Sequence, residues 1–219
     1  MTAAFVPAAG KDWLLPLYDP LTKLLGVERY HRRLLRQAGM APGSRVLEVG
    51  CGTGNLAILA KRLHPTAEVT GIDPDPKALD RPRRKARRRG VDVHFELAYA
   101  ERLPFPDARF DTVLSALMLH HLGADAKVPA LREARRVLVP GGSLHLADFD
   151  DGAHASGLHG MLASLVHGHR GPRAPSKVPG LMRDAGLADA REIGRWPSIL
   201  GGIVSCQAVR SPAGPPPST

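Results

Sequence analysis

The sequence predicts an α/β protein built on a doubly wound, mostly parallel seven-stranded sheet with an antiparallel hairpin at one edge. Apolar segments of strand length alternate with amphipathic segments of helical length between residues 45 and 149, a pattern typical of parallel sheets. A glycine-rich turn follows the first of these strands directly. Near the C-terminus, two strand-like segments succeed each other without a helix between them, which predicts the antiparallel edge hairpin.

The first strand is preceded by short helical pieces in residues 1–42. Their apolar residues recur at helical spacing, but Pro16 and Pro20 interrupt the pattern. We expect this segment to form an N-terminal helical cap. One domain is expected to follow at 43–210, with a flexible tail at 211–219.

The remaining elements follow from changes in apolar periodicity along the chain. The predicted strands lie near residues 45–49, 67–72, 92–97, 110–116, 143–149, 189–196 and 202–209. The predicted helices lie near residues 54–63, 76–89, 125–138 and 176–186. Pro140-Gly141-Gly142 is expected to separate a helix from the following strand, because proline cannot continue a helix. Gly201-Gly202 is expected to join the two hairpin strands.

The bulk composition indicates an ordinary globular protein. The chain has 219 residues with 43% hydrophobic content, enough for one sizeable core. No apolar run approaches the roughly 20 residues that cross a bilayer, and the N-terminus lacks a secretory pattern. Cys51 and Cys206 show neither a disulfide pattern nor zinc-ligand spacing. We therefore expect a cytoplasmic location without a membrane span.

The positive charge of the chain is concentrated in one predicted helix. The formal net charge is +9, and seven positive residues supply most of it: Arg81, Arg83, Arg84, Lys85, Arg87, Arg88 and Arg89. The rest of the chain is then close to neutral. The run contains no aromatic residue that would stack on a base, so it favours a solvated helix face over a nucleic-acid contact.

The stretch VLEVGCGTGNL combines an apolar strand with three alternating glycines, Gly50, Gly52 and Gly54. Glycine lets a ligand approach the main chain, and parallel sheets bind ligands at such strand-to-helix turns. The spacing differs from the G-x-G-x-x-G pattern of dinucleotide-binding loops. Asp73 ends the next predicted strand, where a carboxylate accepts hydrogen bonds from a ribose diol. Its alternative interpretation is a helix N-cap, a role for which Asp75 is better placed.

Four segments together resemble the class I S-adenosylmethionine-dependent methyltransferases: VLEVGCGTGNLAILA, GIDPDPKAL, ERLPFPDARFDTVLSALMLHHL and LREARRVLVPGGSL. Among these enzymes the chain is similar to the small bacterial ubiquinone/menaquinone-biosynthesis C-methyltransferases. The resemblance covers about residues 43–150, half of the chain. It implies a Rossmann-like fold, S-adenosylmethionine as cofactor and S-adenosylhomocysteine as product.

The resemblance also implies roles for individual residues. The loop from Gly50 to Gly54 would lie against the methionine part of the cofactor, with Glu48 anchoring the loop and Asp73 holding both ribose hydroxyls. Pro74 would pack on the adenine, and Ala100 and Glu101 match the segment that contacts the adenine edge. Ser115 would lie beneath the methionine amino group.

One position departs from the family pattern. Many relatives carry an aspartate before the alanine to bind the adenine amino group, whereas this chain has Tyr99. Either Glu101 or the tyrosine hydroxyl takes that bond, or the affinity for the cofactor is weakened.

Candidate catalytic and substrate residues lie after the fourth strand and in the N-terminal cap. His120 and His121 stand where such enzymes face their substrate, and either is a candidate base, with His121 slightly favoured. The alternative is a histidine that only packs structurally. By the same resemblance, Trp13, Tyr18 and Tyr30 are expected to line an acceptor site. The histidines of the segment after residue 150 lack metal-ligand spacing, so no metal is expected; they are His154, His159, His167 and His169.

The favoured function is methyl transfer to a small hydrophobic or aromatic molecule. A cofactor-binding homologue that does not methylate is the main alternative, followed by a nucleic-acid methyltransferase and a nicotinamide-dependent oxidoreductase. A nucleic-acid partner is disfavoured because the chain lacks an Asn/Asp-Pro-Pro-aromatic motif. The sequence leaves open the acceptor, the methylated atom and the oligomeric state.

Overall fold

A computed structural model describes residues 27–149, 176–198 and 201–212, which contain a seven-stranded sheet in the order β3-β2-β1-β4-β5-β7-β6. In chain order the elements are α1 (Val27–Ala38), β1 (Arg45–Val49), α2 (Asn55–Leu63), β2 (Glu68–Asp73), α3 (Pro76–Arg88), β3 (His94–Leu97), β4 (Phe110–Ala116), a 3₁₀ turn (Leu119–His121), α4 (Ala124–Val137), β5 (Leu138–Phe149), α5 (Val178–Asp184), β6 (Ala188–Ser198) and β7 (Gly201–Val209).

The strand order reverses beside β1, at the centre of the sheet. From β1 the chain proceeds outward through β2 and β3, and then returns to the other side of β1 with β4 and β5. All five of these strands are parallel, and β7 and β6 add an antiparallel hairpin at the edge. In open sheets, ligands bind beyond the carboxyl ends of the strands at such a reversal. The topology therefore places a crevice between the ends of β1 and β4.

Apolar side chains leave the central strands on both faces, and helices cover each face. Val46 and Leu114 pack with α1, α2 and α3 on one face, whereas Leu47 and Val113 pack with α4 and α5 on the other. All four side chains are fully buried. Burial on both faces explains why these strands read as continuous apolar runs in the sequence rather than as alternating ones.

The structure confirms the predicted fold class and corrects the boundaries near Pro140. The strand β5 begins at Leu138, which already pairs with Phe110, and the pairing resumes at Ser143 opposite Thr112. Pro140-Gly141-Gly142 is therefore a bulge inside β5 rather than a break before it. Gly141 takes a positive φ of 82°, and its N–H donates to the carbonyl of Arg210. The bulge thus keeps backbone partners and needs glycine only for its conformation.

The hairpin is also confirmed, but its turn is not at Gly201-Gly202. Both glycines belong to β7, where Gly201 pairs with Ser198 and Gly202 with Pro197 of β6. The connection is formed by residues 199–200, which lie outside the described residues. Gly201 and Gly202 therefore continue the ladder of β7 and do not form the turn.

Arg136 on α4 fastens the long connection between β3 and β4. Its guanidinium donates to the carbonyl oxygens of Leu103 at 3.0 Å and Phe105 at 2.8 Å. The carboxylate of Glu133 pairs with Arg136 and also accepts the N–H of Leu103 at 2.8 Å. These bonds fix a connection without regular structure next to the amino ends of β4 and β5.

The part of the expected N-terminal cap that the structure describes is α1. Its side chains Leu34 and Leu35 are buried against the sheet face. The hydroxyl of Ser205 on β7 donates a hydrogen bond to Oε1 of Gln37. Residues 1–26 of the expected cap and most of the expected tail lie outside the described residues, so the domain boundaries stay a prediction. None of the described helices has the length and apolar character that crossing a bilayer requires.

Two buried histidines predict a loss of stability in acid. Burial lowers the pKa of both His31 and His145 from 6.5 to about 4. Because the unfolded chain then binds protons more readily, stability is fully present above pH 6.5 and falls as the pH drops towards 4. Each histidine contributes roughly 3 kcal/mol to that loss. Urea unfolding of the wild type and of His145→Leu between these pH values measures it.

The variant should show a shallower fall in the free energy of unfolding than the wild type. His94→Gln, at an exposed position on β3, is the control and should leave the slope unchanged. Equal slopes in the wild type and His145→Leu would contradict the assignment.

Candidate functional site

The carboxyl ends of β1, β2 and β4 meet around the loop that joins β1 to α2. The N–H groups of Gly50 and Cys51 both donate to the carbonyl of Ile72, at 2.9 and 2.8 Å. The loop therefore bends across the end of β2 instead of continuing along β1. This brings its main chain beside Asp73, the last residue of β2.

The three glycines of the loop are required for different reasons, although all have positive φ. A Cβ atom on Gly50 would lie 2.2 Å from Cγ of Met118, and one on Gly54 would lie 2.5 Å from Cβ of Pro82. These two positions are filled by the protein's own side chains. A Cβ atom on Gly52, by contrast, would meet no atom of the described residues within 4 Å. Open space above the main chain is therefore found at Gly52 alone among the three.

Glu48 on β1 accepts a hydrogen bond from the first turn of α2. Its Oε2 atom accepts the N–H of Ala57 at 2.7 Å, and its side chain is buried. The residue before the helix is Gly54, which has no side chain to cap the free N–H groups. Glu48 supplies the missing acceptor from the strand. Burial raises the pKa of Glu48 well above its usual value, and the bond from Ala57 opposes that shift.

Asp73 connects the same loop to β2. Its Oδ2 atom accepts the N–H of Gly52 at 2.8 Å, and its Oδ1 atom accepts the N–H of Asp75 at 3.0 Å. Burial raises the pKa of Asp73, while these two bonds lower it. Since each carboxylate oxygen offers two acceptor positions, one position remains on each oxygen for a ligand. Pro74 follows and is half-buried.

The other predicted cofactor residues lie around this loop. Ser115, on β4, donates its hydroxyl to the carbonyl of Val49 at 3.2 Å and is buried. The segment after β3 is tied to β2 because the N–H of Ala98 donates to the carbonyl of Asp73 at 3.3 Å. Within that segment Ala100 is buried.

The two polar side chains beside Ala100 differ in their access to solvent. Glu101 is half-buried, and the side chain of Tyr99 is 55% exposed. Neither side chain makes a hydrogen bond to another of the described residues that would hold it away from a ligand. The choice between Glu101 and Tyr99 as the adenine partner stays open on this geometry.

The turn after β4 links the glycine loop to the two histidines. Leu117 has a φ of 55°, an uncommon value for a residue with a side chain, and its N–H donates to the carbonyl of Ala147 at 2.8 Å. This conformation directs Met118 onto Gly50. The 3₁₀ turn with His120 and His121 follows directly.

His120 makes a close pair with a carboxylate that the sequence analysis did not single out. Its Nδ1 atom lies 2.6 Å from Oδ1 of Asp148, and its backbone N–H donates to Oδ2 at 3.1 Å. Asp148 is buried at the carboxyl end of β5. The sequence signal was an acidic residue that ends the apolar strand LHLADF. The pair has the arrangement of a histidine that is oriented by a carboxylate to accept a proton.

His121 lies beside this pair and is the more exposed of the two histidines. The two imidazole rings are 4.0 Å apart between centroids. Desolvation and the neighbouring His120 lower the pKa of His121, and Asp148 opposes that shift. His121 has no carboxylate bond of its own in the described structure. The favoured base of the sequence analysis therefore lacks the partner that His120 has.

Of the predicted acceptor residues, the structure describes Tyr30. Its hydroxyl donates to the carbonyl of Pro197 at 2.8 Å, and its ring lies 6.2 Å from that of Trp196 on β6. Both contacts are at the edge of the sheet where β5 ends. Trp13 and Tyr18 lie outside the described residues, as do the four histidines of the segment after residue 150. In the described ranges, no group of three or more metal-ligating side chains comes together.

The comparisons with known proteins agree with this geometry. Residues 46–142 match the family model described as a methyltransferase domain. The chain is 39% identical over 170 residues to the demethylmenaquinone methyltransferase of Deinococcus radiodurans, covering 76% of this chain and 69% of that enzyme. It is 38% identical over 136 residues to a ubiquinone/menaquinone biosynthesis C-methyltransferase of Cupriavidus necator, with 60% and 55% covered.

A third relative has a different named substrate. The chain is 44% identical over 119 residues to the 27-O-demethylrifamycin SV methyltransferase of Amycolatopsis mediterranei. That match covers 52% of this chain and 43% of the relative, so the chain spans less than half of its length. Among solved structures, the YcgJ protein of Bacillus subtilis superimposes with a TM-score of 0.66 at 21% identity, covering 85% of this chain and all of that one.

The structural likeness establishes the fold, and the sequence matches establish the family. The methyltransferase-domain match includes β1, the glycine loop and the end of β2, the elements that surround the open main chain at Gly52. The chain belongs to the S-adenosylmethionine-dependent methyltransferases, in the group that includes the ubiquinone and menaquinone biosynthesis enzymes.

Proposed function

We propose that this methyltransferase acts on a small aromatic acceptor of the quinol class and that His120 removes the acceptor's proton. The observation that carries the proposal is the pair of His120 and Asp148, which lies at the same sheet edge as the glycine loop. The relatives from Deinococcus radiodurans and Cupriavidus necator are named for quinone methylation, which supports a quinol as the acceptor.

The donor fits the crevice around Gly52. The space above its main chain admits the methionine part of S-adenosylmethionine, and the free acceptor positions of Asp73 suit the two ribose hydroxyls. Pro74 and the segment with Ala100 border the place for the adenine. Glu48 acts indirectly in this arrangement, because its carboxylate is engaged by α2 and keeps the loop in position.

Ser115 and Glu101 complete the proposed donor site. The hydroxyl of Ser115 donates to Val49 and keeps its acceptor capacity, so it suits the amino group of the donor's methionine part. Glu101 is half-buried near the proposed adenine position and offers a carboxylate to the adenine amino group.

The donor supplies an activated methyl group on a positively charged sulfur. The protein therefore has two tasks, to hold the reactants in line and to remove a proton from the acceptor. Holding two reactants at near-attack distance supplies roughly 7–11 kcal/mol at best. In the overall reaction a ring C–H bond of the quinol is replaced by C–CH3, the S–CH3 bond breaks with its electrons on sulfur, and one proton is released.

His120 is suited to take the proton of the quinol hydroxyl. The carboxylate of Asp148 accepts the Nδ1 proton, which leaves Nε2 as the basic nitrogen of the ring. Loss of the hydroxyl proton increases the electron density at the neighbouring ring carbon and makes it a better nucleophile. Asp148 also stabilises the imidazolium that forms.

Aromatic side chains near His120 support a planar acceptor. The ring of Phe149 lies 4.9 Å from that of His120 in an edge contact. Across the sheet, Phe149 pairs with Ile203, and Ile203 pairs with Trp196. Tyr30 packs on Trp196 from α1. Phe149, Trp196 and Tyr30 are half-buried and Ile203 is buried, so these side chains form an apolar cluster at the edge at which the proposed base lies.

Methylation of a hydroxyl oxygen is the second candidate function. The same base would deprotonate a phenol or alcohol, whose oxygen would then attack the methyl group directly. The 44% identical relative is named for O-methylation, which supports this candidate. The two functions differ in the atom that is methylated, so the product distinguishes them.

Replacing Gly52 and Gly54 by alanine should separate donor binding from stability. Gly52→Ala has open space and costs only the backbone strain of about 1–2 kcal/mol, but its methyl group enters the donor crevice. We expect its affinity for S-adenosylhomocysteine to fall at least about tenfold. Gly54→Ala should lose more stability, because its Cβ atom meets Pro82. Urea unfolding and calorimetric titration measure the two effects, and unchanged affinity in Gly52→Ala would refute the crevice assignment.

Replacing Asp73 by alanine should weaken donor binding because two acceptors for the ribose diol are lost. The expected loss is about 1–3 kcal/mol in binding free energy. Asp80→Ala is the matched control, since its carboxylate lies on α3 and is 70% exposed. Calorimetry with S-adenosylhomocysteine tests both variants. Equal affinities of Asp73→Ala and the control would rule out ribose binding by Asp73.

A panel of quinols, phenols and alcohols with methyl-labelled S-adenosylmethionine tests the acceptor class and the base together. We expect methylated quinol as the main product, with S-adenosylhomocysteine in equal amount. His120→Ala should slow the reaction by roughly 100-fold to 10,000-fold, because it removes the general base. Asp148→Asn should also slow the reaction, because His120 then lacks the carboxylate that orients it and stabilises its charged form.

His121→Ala is the control for this experiment and should retain most of the activity. A wild-type rate in His120→Ala would refute the base assignment while leaving the acceptor class intact. Methylation of alcohols or phenols on oxygen, with quinols inert, would favour the second candidate function. The label position in the product decides between carbon and oxygen.

A further inference from the structure

The outer face of α3 carries a concentration of positive charge that methyl transfer does not use. Helix α3, Pro76–Arg88, has the sequence PKALDRPRRKARR, with seven cationic residues and one acidic residue. Arg89 follows directly. The strand order places the helix beside β2 and β3, away from His120 and Asp148 on the other half of the sheet. Its charge therefore needs an explanation separate from the chemistry.

Part of this charge holds the helix to the protein. Lys85 donates to the carbonyl of Thr53 and to the side chain of Asn55, both at 2.9 Å. Arg83 donates to the carbonyl of Phe95 on β3, also at 2.9 Å. These two residues are structural. They explain neither the number of cations on the helix nor their position.

Among the other cations, four arginines are fully on the surface: Arg84, Arg87, Arg88 and Arg89, called here the cationic face. All four are exposed, and in residues 27–149, 176–198 and 201–212 no carboxylate pairs with their guanidinium groups. Arg84, Arg87 and Arg88 are spaced three and four residues apart, so they lie on one side of the helix. The buried residues Leu79 and Ala86 occupy the opposite side.

Exposed apolar side chains lie beside this helix on the edge strand. Leu97 is 49% exposed at the end of β3, and Tyr99 is 55% exposed just beyond it. With Leu63, they are the large hydrophobic residues that are exposed in the described part of the chain. Leu97 follows Phe95 by two residues, and Phe95 packs on the sheet face that α3 covers. Leu97 and Tyr99 both lie at the carboxyl end of β3, whereas the second half of α3, with the four arginines, runs towards the start of β3, so the cationic face is separate from them.

We propose that the cationic face of α3 binds an anionic lipid surface. The choice of a lipid rests on the proposed function, because an apolar quinol partitions into a bilayer and an enzyme held there meets it at high local concentration. Lysine and arginine near a membrane surface are attracted by anionic headgroups.

The same observations disfavour a nucleic acid as the partner. Helix α3 contains no aromatic residue for stacking on bases. The four arginines project from a convex helix that is packed on the sheet, so they contact a broad charged surface more readily than they enclose a strand. A flat lipid headgroup layer matches this shape and charge.

Binding to lipid vesicles tests the proposal with the full chain and without donor or acceptor. The wild type should sediment with vesicles of about 70% phosphatidylcholine and about 30% phosphatidylglycerol, and not with phosphatidylcholine alone. The variant Arg84→Gln/Arg87→Gln/Arg88→Gln/Arg89→Gln should bind the anionic vesicles at least about tenfold more weakly. Raising the salt from about 0.1 M to about 1 M should release the wild type, since screening shortens the range of the attraction.

A second fourfold variant serves as the control for net charge. Arg29, Arg62, Arg102 and Arg132 are also exposed, but they lie on other elements. Their replacement by glutamine removes the same charge and should weaken vesicle binding by less than about threefold. Both variants should retain wild-type activity on a water-soluble quinol, which shows that they fold.

Three results would overturn the proposal. These are wild-type binding without preference for anionic vesicles, equal losses in the two fourfold variants, and tighter binding of a short RNA duplex than of vesicles through the same four arginines. Failure of the proposed function is separate, because it would appear as inactivity towards quinols in a protein that still binds anionic vesicles.

Discussion

Two buried carboxylates hold the glycine loop in position, one at the middle of the loop and one at the first turn of α2. Glu48 accepts the N–H of Ala57 in the first turn of α2, and Asp73 accepts the N–H of Gly52. Without these acceptors the loop would have free N–H groups at a buried strand end, which costs stability. Because both carboxylates are used on the protein's own main chain, the loop keeps its bent course before a ligand arrives. Preorganised donors and acceptors lower the cost of binding.

The same loop is coupled to the proposed base through direct packing. Gly50 has no side chain, so Met118 rests on its main chain, and the positive φ of Leu117 directs Met118 there. His120 lies two residues later and is fixed by Asp148 from β5. The donor side and the acceptor side thus share one short turn. A shift of that turn would change both the loop and the position of the base.

The sequence predicted those features that depend on local pattern. Strand β4, Phe110–Ala116, was predicted with its observed bounds from its apolar residues alone. The course of β5 was not, since a proline and two glycines normally end an element, whereas here the pairing of Leu138 with Phe110 continues the strand through a bulge. Packing against a neighbouring strand decided the outcome, and no local pattern contains that information.

In the candidate site, too, local sequence pattern predicted some features, whereas others depend on tertiary contacts. The glycine loop and Asp73 were recognised from spacing, but the different tasks of Gly50, Gly52 and Gly54 depend on what packs above each of them. Asp148 was missed because its role exists only through contact with His120, 28 residues earlier in the chain. Tertiary contacts of this kind leave no periodic trace in one sequence.

The antiparallel hairpin of β6 and β7 supplies apolar side chains to the proposed acceptor site. Because β7 runs against β5, its first residues lie at the edge where β5 ends, and the end of β6 returns to the same edge. Phe149, Ile203 and Trp196 are therefore brought into one row although they come from three strands. A purely parallel sheet would place the start of its next strand at the opposite edge. The hairpin thus places half-buried aromatic side chains beside His120, whereas the proposed donor crevice lies in the parallel half of the sheet. Donor binding and acceptor binding therefore need not use the same side chains.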